Sequence, residues 1–131
     1  MLRLSKSVEY ALIALNYLAS QRKDEVCSAK KIAKQCQIPN ELLAKNLQKL
    51  SSIGLIESSK GAAGGYSLKK ASVNLNIYEL IKIIDGPVSL IDCAVSTNCD
   101  LLDNCKIKAP LTKINNQIIN TLKSITVDQI R

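Results

Sequence analysis

With 131 residues, 47% of them hydrophobic, and a net charge of +7, the chain is long enough to bury a core and too apolar to be disordered. It has no histidine, phenylalanine or tryptophan and only four tyrosines. That excludes Ser-His and Cys-His catalysis, imidazole-bound zinc and aromatic platforms for single-stranded bases, so an enzyme is not expected. No apolar run reaches the roughly 18 residues that cross a bilayer, and the N-terminus carries no signal-peptide pattern, so the expected location is cytoplasmic. In that reducing compartment five cysteines, an odd number, are ligands or free thiols and not a disulfide framework. The charge is segregated: residues 1–75 hold twelve Lys and Arg against five Asp and Glu, and residues 76–131 six against six. A basic excess confined to one region suits a surface that meets phosphates, with a solvated lysine-rich face as the bland alternative.

The first predicted helix covers residues 8–21, with Ser5 or Ser7 as its cap and Val8, Ala11, Leu12, Leu15 and Leu18 as its apolar stripe. Glu9, in its first turn, complements the helix dipole. Ser28 caps a short helix over residues 29–36, with Ile32, Ala33 and Cys36 inward, and Gln37-Ile38-Pro39 ends it. Asn40 is the expected cap of a third helix, residues 41–53, whose buried positions are Leu42, Leu43, Leu47 and Leu50. Two short helices joined by a three-residue break are a helix-turn-helix signature, the second entering the major groove. The other face of that helix carries Ala44, Lys45, Gln48 and Lys49, which suit guanine edges or phosphate, adenine, and close approach to a thymine methyl. An ordinary helical hairpin with polar residues outside has the same pattern.

The next segment separates the two. Residues 54–60 read as a helix stop and a strand, residues 61–65 as a glycine-rich tip, and residues 66–69 as the return strand: a β-hairpin wing. Lys60, Gly64, Gly65, Tyr66 and Lys69 are its candidate DNA-contacting residues, since glycines allow close backbone approach and lysines meet phosphate. No Gly-Lys-Ser/Thr follows, so it is not a nucleotide phosphate loop. Asn76 caps a helix over residues 77–85, with Leu80, Ile81 and Ile84 inward, and Gly86-Pro87 stops it.

Cys93, Cys99 and Cys105 follow at equal spacing in a loop rich in Asp and Asn, a poor place to bury inert thiols. Three thiolates in such a loop suit iron-sulfur clusters or zinc. Inert small hydrophobes are the competing reading, and it is the one adopted for Cys27 and Cys36. A last helix, residues 110–125 with Pro110 at its first position, has a seam of Leu111, Ile114, Ile118, Leu122 and Ile125. A seam beyond a complete winged helix suggests a homodimer, which would present two recognition helices to a palindromic operator. The expected organisation is a DNA-binding region over residues 1–75, a connecting helix and cysteine loop over 76–109, and a dimerisation helix over 110–131, in one compact, mainly α domain with a β-hairpin wing.

The opening Leu-Ser-Lys-x-x-Glu-Tyr-Ala-Leu, the helix-turn-helix, the Gly61-to-Tyr66 wing, the helix over 77–85 and the triple-cysteine spacing together resemble the Rrf2 family of bacterial winged-helix regulators. The resemblance spans nearly the whole chain. It implies homodimeric DNA binding under control of a cluster in the cysteine loop. IscR-like members have a histidine three residues after the third cysteine; here that position is Lys108, which cannot ligate while protonated. In NsrR-like members an acid of the first helix, reaching across the dimer, fills the role, and the matching residue is Glu9. The resemblance therefore implies iron ligation by Cys93, Cys99, Cys105 and Glu9, with a four-iron cluster favoured over a two-iron one. The expected function is a dimeric regulator, a repressor in preference to an activator, that senses nitric oxide, redox or iron-sulfur status. An iron-sulfur carrier or electron-transfer protein, or a winged-helix thiol regulator with zinc or no metal, would explain part of the same pattern.

Overall fold

The computed structural model describes residues 3–69, 74–94, 99–101 and 103–130. Helix α1 (Lys6–Ser20) is the element on which the others are assembled. Its N-terminus is fastened by Ser5, whose hydroxyl oxygen accepts from the Val8 N–H at 3.2 Å, and its inward face is Val8, Ala11, Ala14, Leu15 and Leu18. The two alanines on that face let α2 (Ala29–Cys36) and α3 (Asn40–Ser52) pack closely against α1. Helix α2 is capped by Ser28, whose hydroxyl accepts from Lys31 N–H at 3.1 Å. It ends where Gln37 turns left-handed at φ 56°, a conformation unusual for a residue with a β-carbon.

Two expectations for α3 are corrected. Asn40 is the first helical residue and makes no capping bond, because Pro39 occupies the cap position. Leu42 is 38% exposed, and the inward face is instead Leu43, Asn46, Leu47 and Leu50. Leucine composition did not distinguish adjacent positions 42 and 43, which lie about 100° apart around the helix.

Strands β1 (Ile56–Ser59) and β2 (Gly65–Leu68) pair antiparallel from Ile56 opposite Leu68 to Ser59 opposite Gly65. Cys27 adds to the outer side of β2 through reciprocal backbone bonds with Tyr66 at 2.8 and 2.7 Å, so the wing is tied to the segment that enters α2. Gly65 is required there: a β-carbon would overlap the Cys27 carbonyl.

Helix α4 (Ile77–Asp85) is capped by Asn76, whose Oδ1 accepts from Glu79 N–H at 2.8 Å, and buries Ile77, Leu80 and Ile84. Helix α5 (Lys108–Ser124) starts two residues earlier than expected, with Pro110 inside the first turn. It packs on α4. After α5 the chain returns to the body: Ile77 N–H donates to Ile125 O at 2.9 Å and Val127 N–H to Leu75 O at 2.8 Å. The molecule is thus mostly helical, with a two-stranded hairpin and a long C-terminal helix.

Candidate nucleic-acid interface and cysteine loop

The sharp stop at Gln37 sets α3 across α1 and α2, and its outer side carries exposed Lys45 and Gln48 with half-buried Ala44 between the turns. In the wing, Lys60 is exposed at the tip, while Gly64, Gly65 and Tyr66 are half-buried. Lys69 pairs across the hairpin with Glu57 at 3.6 Å. Lys70, the next lysine flanking the wing in sequence, lies outside the described residues. Helix α3 and the wing are consecutive elements joined through Gly54, and α3 packs on β1.

Lys49, also exposed, has a partner within the chain. Its Nζ donates to the carbonyl oxygen of Ile84 at 2.8 Å. Ile84 is the penultimate residue of α4, one of the four whose carbonyls lack a helical partner, and a cation there also complements the helix dipole. The ammonium expected at DNA is engaged with the protein.

Cys93 lies in a single 3₁₀ turn, Asp92–Ala94, and is half-buried; Cys99 is exposed and Cys105, just before α5, is half-buried. Cys93 and Cys105 open onto neighbouring surface cavities of about 450 and 780 Å³ that share Lys108, Thr112 and Asn116 of α5. Residues 95–98 and 102 of the loop lie outside the described residues. Among the described residues no group of three His, Cys, Asp or Glu side chains converges to hold a metal ion. Glu9 lines neither cavity. Its carboxylate is 40% exposed and accepts from Lys6 Nζ at 2.7 Å, and that hydrogen bond with its charge raises the Lys6 ammonium above the ordinary lysine value.

Cys27 is fully buried, and burial pushes its thiol up from the ordinary value; burial does the same to half-buried Cys36. Protonated thiols in apolar surroundings are poor nucleophiles and poor ligands.

Two buried asparagines escaped the sequence reading. Asn46 donates from Nδ2 to Ser7 O at 2.9 Å. On α5, Asn115 Oδ1 accepts from Leu90 N–H at 2.8 Å and from the Ser89 hydroxyl at 3.3 Å, pinning the strand of chain that leads into Cys93. The available signal was an asparagine, a poor helix former, on or beside the apolar stripe of each helix.

A helix-turn-helix followed by a wing, with a long helix beyond it, defines a winged-helix regulator. Residues 4–131 match the Rrf2 family, described as an iron-dependent transcriptional regulator. The chain belongs to the Rrf2 family of transcriptional regulators. It is 30% identical over 131 residues to the regulator NsrR of Halalkalibacterium halodurans, covering 98% of this chain and 90% of that one. Among solved structures it is similar to CymR, the global cysteine regulator of B. subtilis (TM-score 0.75, 25% identity, 99% and 96% coverage). It also shares the fold of T. potens IscR (TM-score 0.71, 23% identity, 98% and 85% coverage). These relatives are transcription regulators and not enzymes. No helix among the described residues is long and apolar enough to cross a membrane.

Proposed function

We propose that the protein is a cytoplasmic, homodimeric repressor that binds a palindromic operator through α3 and the wing, under control of an iron-sulfur cluster. Ala44, Lys45 and Gln48 read the major groove, and Lys60, Gly64, Gly65, Tyr66 and Lys69 approach the backbone. Lys49 drops from that set. The observation that carries the regulatory part is the placement of three cysteines outside the core, in one loop that flanks α5, while the other two are buried or packed on the core. The dimer is supported by Ile114, exposed at 45%, on a helix with Asn115 as its one buried residue, and by Ile107, exposed at 59%, at the cap of that helix. A second copy would cover that face.

The donor chemistry fits a cluster. Three thiols are accessible at the surface, the chain has no imidazole, and a carboxylate completes the set if Glu9 of the partner subunit reaches the loop. When bound, an iron-sulfur cluster supplies a centre reactive to nitric oxide and redox change. The carboxylate corner would be its labile one, being a harder donor than thiolate. Four irons suit the set better than two. Within the chain, Asn115 and Ser89 hold the approach to Cys93, and Lys108 lines both the Cys93 and the Cys105 cavity.

Iron and sulfide analysis after anaerobic purification tests the cluster: near-stoichiometric iron and sulfide are expected, and their absence refutes it. The same measurement separates the cluster from a second reading, a regulator whose loop thiols act without metal. A Glu9→Ala variant with unchanged visible spectrum and nitric-oxide titration would remove Glu9 from the ligand set. Operator binding should weaken with salt as counterions are released. Changing Lys45 or Gln48 should relax sequence preference, and changing Lys60 or Lys69 should weaken binding to all sequences alike.

A further inference from the structure

Helix α3 is held by two long-range polar contacts that its DNA-facing residues do not explain. Asn46, 3% exposed, donates to Ser7 O at 2.9 Å in the first turn of α1. Lys49 donates to Ile84 O at 2.8 Å in the last turn of α4. The two are three residues apart and share one helical face. Each follows directly on a residue assigned to the groove, Lys45 or Gln48. Their anchors are equally specific in place. Ser7 is in the same turn as Glu9, and Ile84 lies in the last turn of the helix from which the chain runs, through the Leu90 N–H held by Asn115, to Cys93.

We infer that Asn46 and Lys49 are positioning residues that transmit the state of the cysteine loop and of the α1 start to the recognition helix. The inference rests on the proposed sensing function. The physical basis is the nature of the contacts. A packed leucine tolerates sliding, whereas a hydrogen bond weakens steeply with distance and angle, so a shift of either anchor moves α3 or breaks the bond. The Ile84 carbonyl needs a partner, because an orphan helix-end carbonyl left unsatisfied is costly, so displacement of α4 draws Lys49 with it. Two tethers one turn apart also fix the rotation of α3 about its axis. A single one would fix only a point.

The test uses full-length protein, anaerobically reconstituted or metal-free, and a duplex selected from a random library by the wild type. The wild type should bind the duplex with affinities that differ between the two states by on the order of tenfold. In Lys49→Met, which keeps the apolar stem, that ratio should move toward one by about threefold or more at unchanged iron content, and Lys49→Arg should restore it. The slope of log affinity against log salt should be the wild-type slope in Lys49→Met, whereas Lys60→Met should lower it by about 1. A lowered slope in Lys49→Met would make Lys49 a phosphate contact and overturn the inference. So would a ratio unchanged from wild type. Asn46→Asp, which removes the donor at constant size, should reduce the ratio likewise, and Lys49→Met decides if that buried change prevents folding. A wild-type ratio of one would refute the sensing function itself, a result distinct from an intact wild-type ratio that ignores Lys49.

Discussion

The helices and wing before residue 70 and the C-terminal helix are built on opposite plans. In the first region the inward positions of α1, α2 and α3 are closed: Val8, Ala11, Ile32, Leu43, Leu47 and Leu50 are fully buried, and Ile56 and Cys27 join the wing to the same core. In α5 the one buried residue is polar, Asn115, while Ile114 stays 45% exposed and Ile118, Ile119 and Leu122 are half-buried. A stripe of isoleucine and leucine at helical spacing is equally good in both regions. Among the described residues one stripe is closed by its neighbours, and the other, though packed on α4, stays half open. The difference teaches that the first region closes its apolar faces within the chain, whereas α5 leaves apolar surface exposed, the surface on which the proposed dimer rests.

The comparison can be broken most severely in the core. Leu47→Ala should cost about 2–5 kcal/mol in urea unfolding, because the packed site between α1 and α3 cannot collapse onto the cavity. The midpoint loss should not depend on protein concentration. A smaller loss, about 1–3 kcal/mol, is expected for Asn115→Leu, which leaves the Leu90 N–H without its acceptor. Its unfolding should be preceded by faster hydrogen exchange at Leu90. Ile114→Lys should leave the fold intact, within about 0.5 kcal/mol in dilute protein, since the side chain is half exposed. It should nevertheless weaken self-association at least about tenfold in sedimentation equilibrium, which is ~1.4 kcal/mol. A concentration-independent loss of several kcal/mol would mean that α5 belongs to the core after all.

Two finer tests sharpen the contrast. Gln37→Gly should stabilise by about 0.5–1 kcal/mol in thermal unfolding, since glycine adopts the left-handed turn at no steric cost. The last is a matter of slope against pH. Burial raises the Cys27 thiol, so its folded value lies above the unfolded one. Its contribution to stability is complete below the unfolded thiol value, about pH 8.5, and is lost as pH rises toward the folded value. Cys27→Ala should remove that alkaline decline while lowering stability at neutral pH.

Much of this architecture was legible in the residues. Ser5, Ser28 and Asn76 sit where the helices begin, the break at Gln37 to Pro39 is a left-handed turn, and the glycine-rich tip joins two paired strands. Caps, breaks and alternation are local, so they are written within a few residues of where they act. Asn40 misled because asparagine is a favoured cap residue, whereas the cap position falls on Pro39 and Asn40 opens the helix. Leu42 misled because hydrophobicity says that a leucine prefers burial, not which of two adjacent leucines obtains it.

What composition, caps and spacing determined on their own was the class: a winged helix-turn-helix, a basic half, a surface loop of three thiols and a helix with an apolar stripe. Tertiary structure alone decided the partners of the polar groups. Lys49 was assigned to DNA by its place in α3, and only the packing of α3 beside the end of α4 turned its ammonium to the Ile84 carbonyl. Asn46 and Asn115 acquired roles from residues 39 and 25 positions away in the chain. The physical reason is range: periodicity records which face of a helix is apolar, whereas a hydrogen bond between distant segments depends on how those faces meet in space.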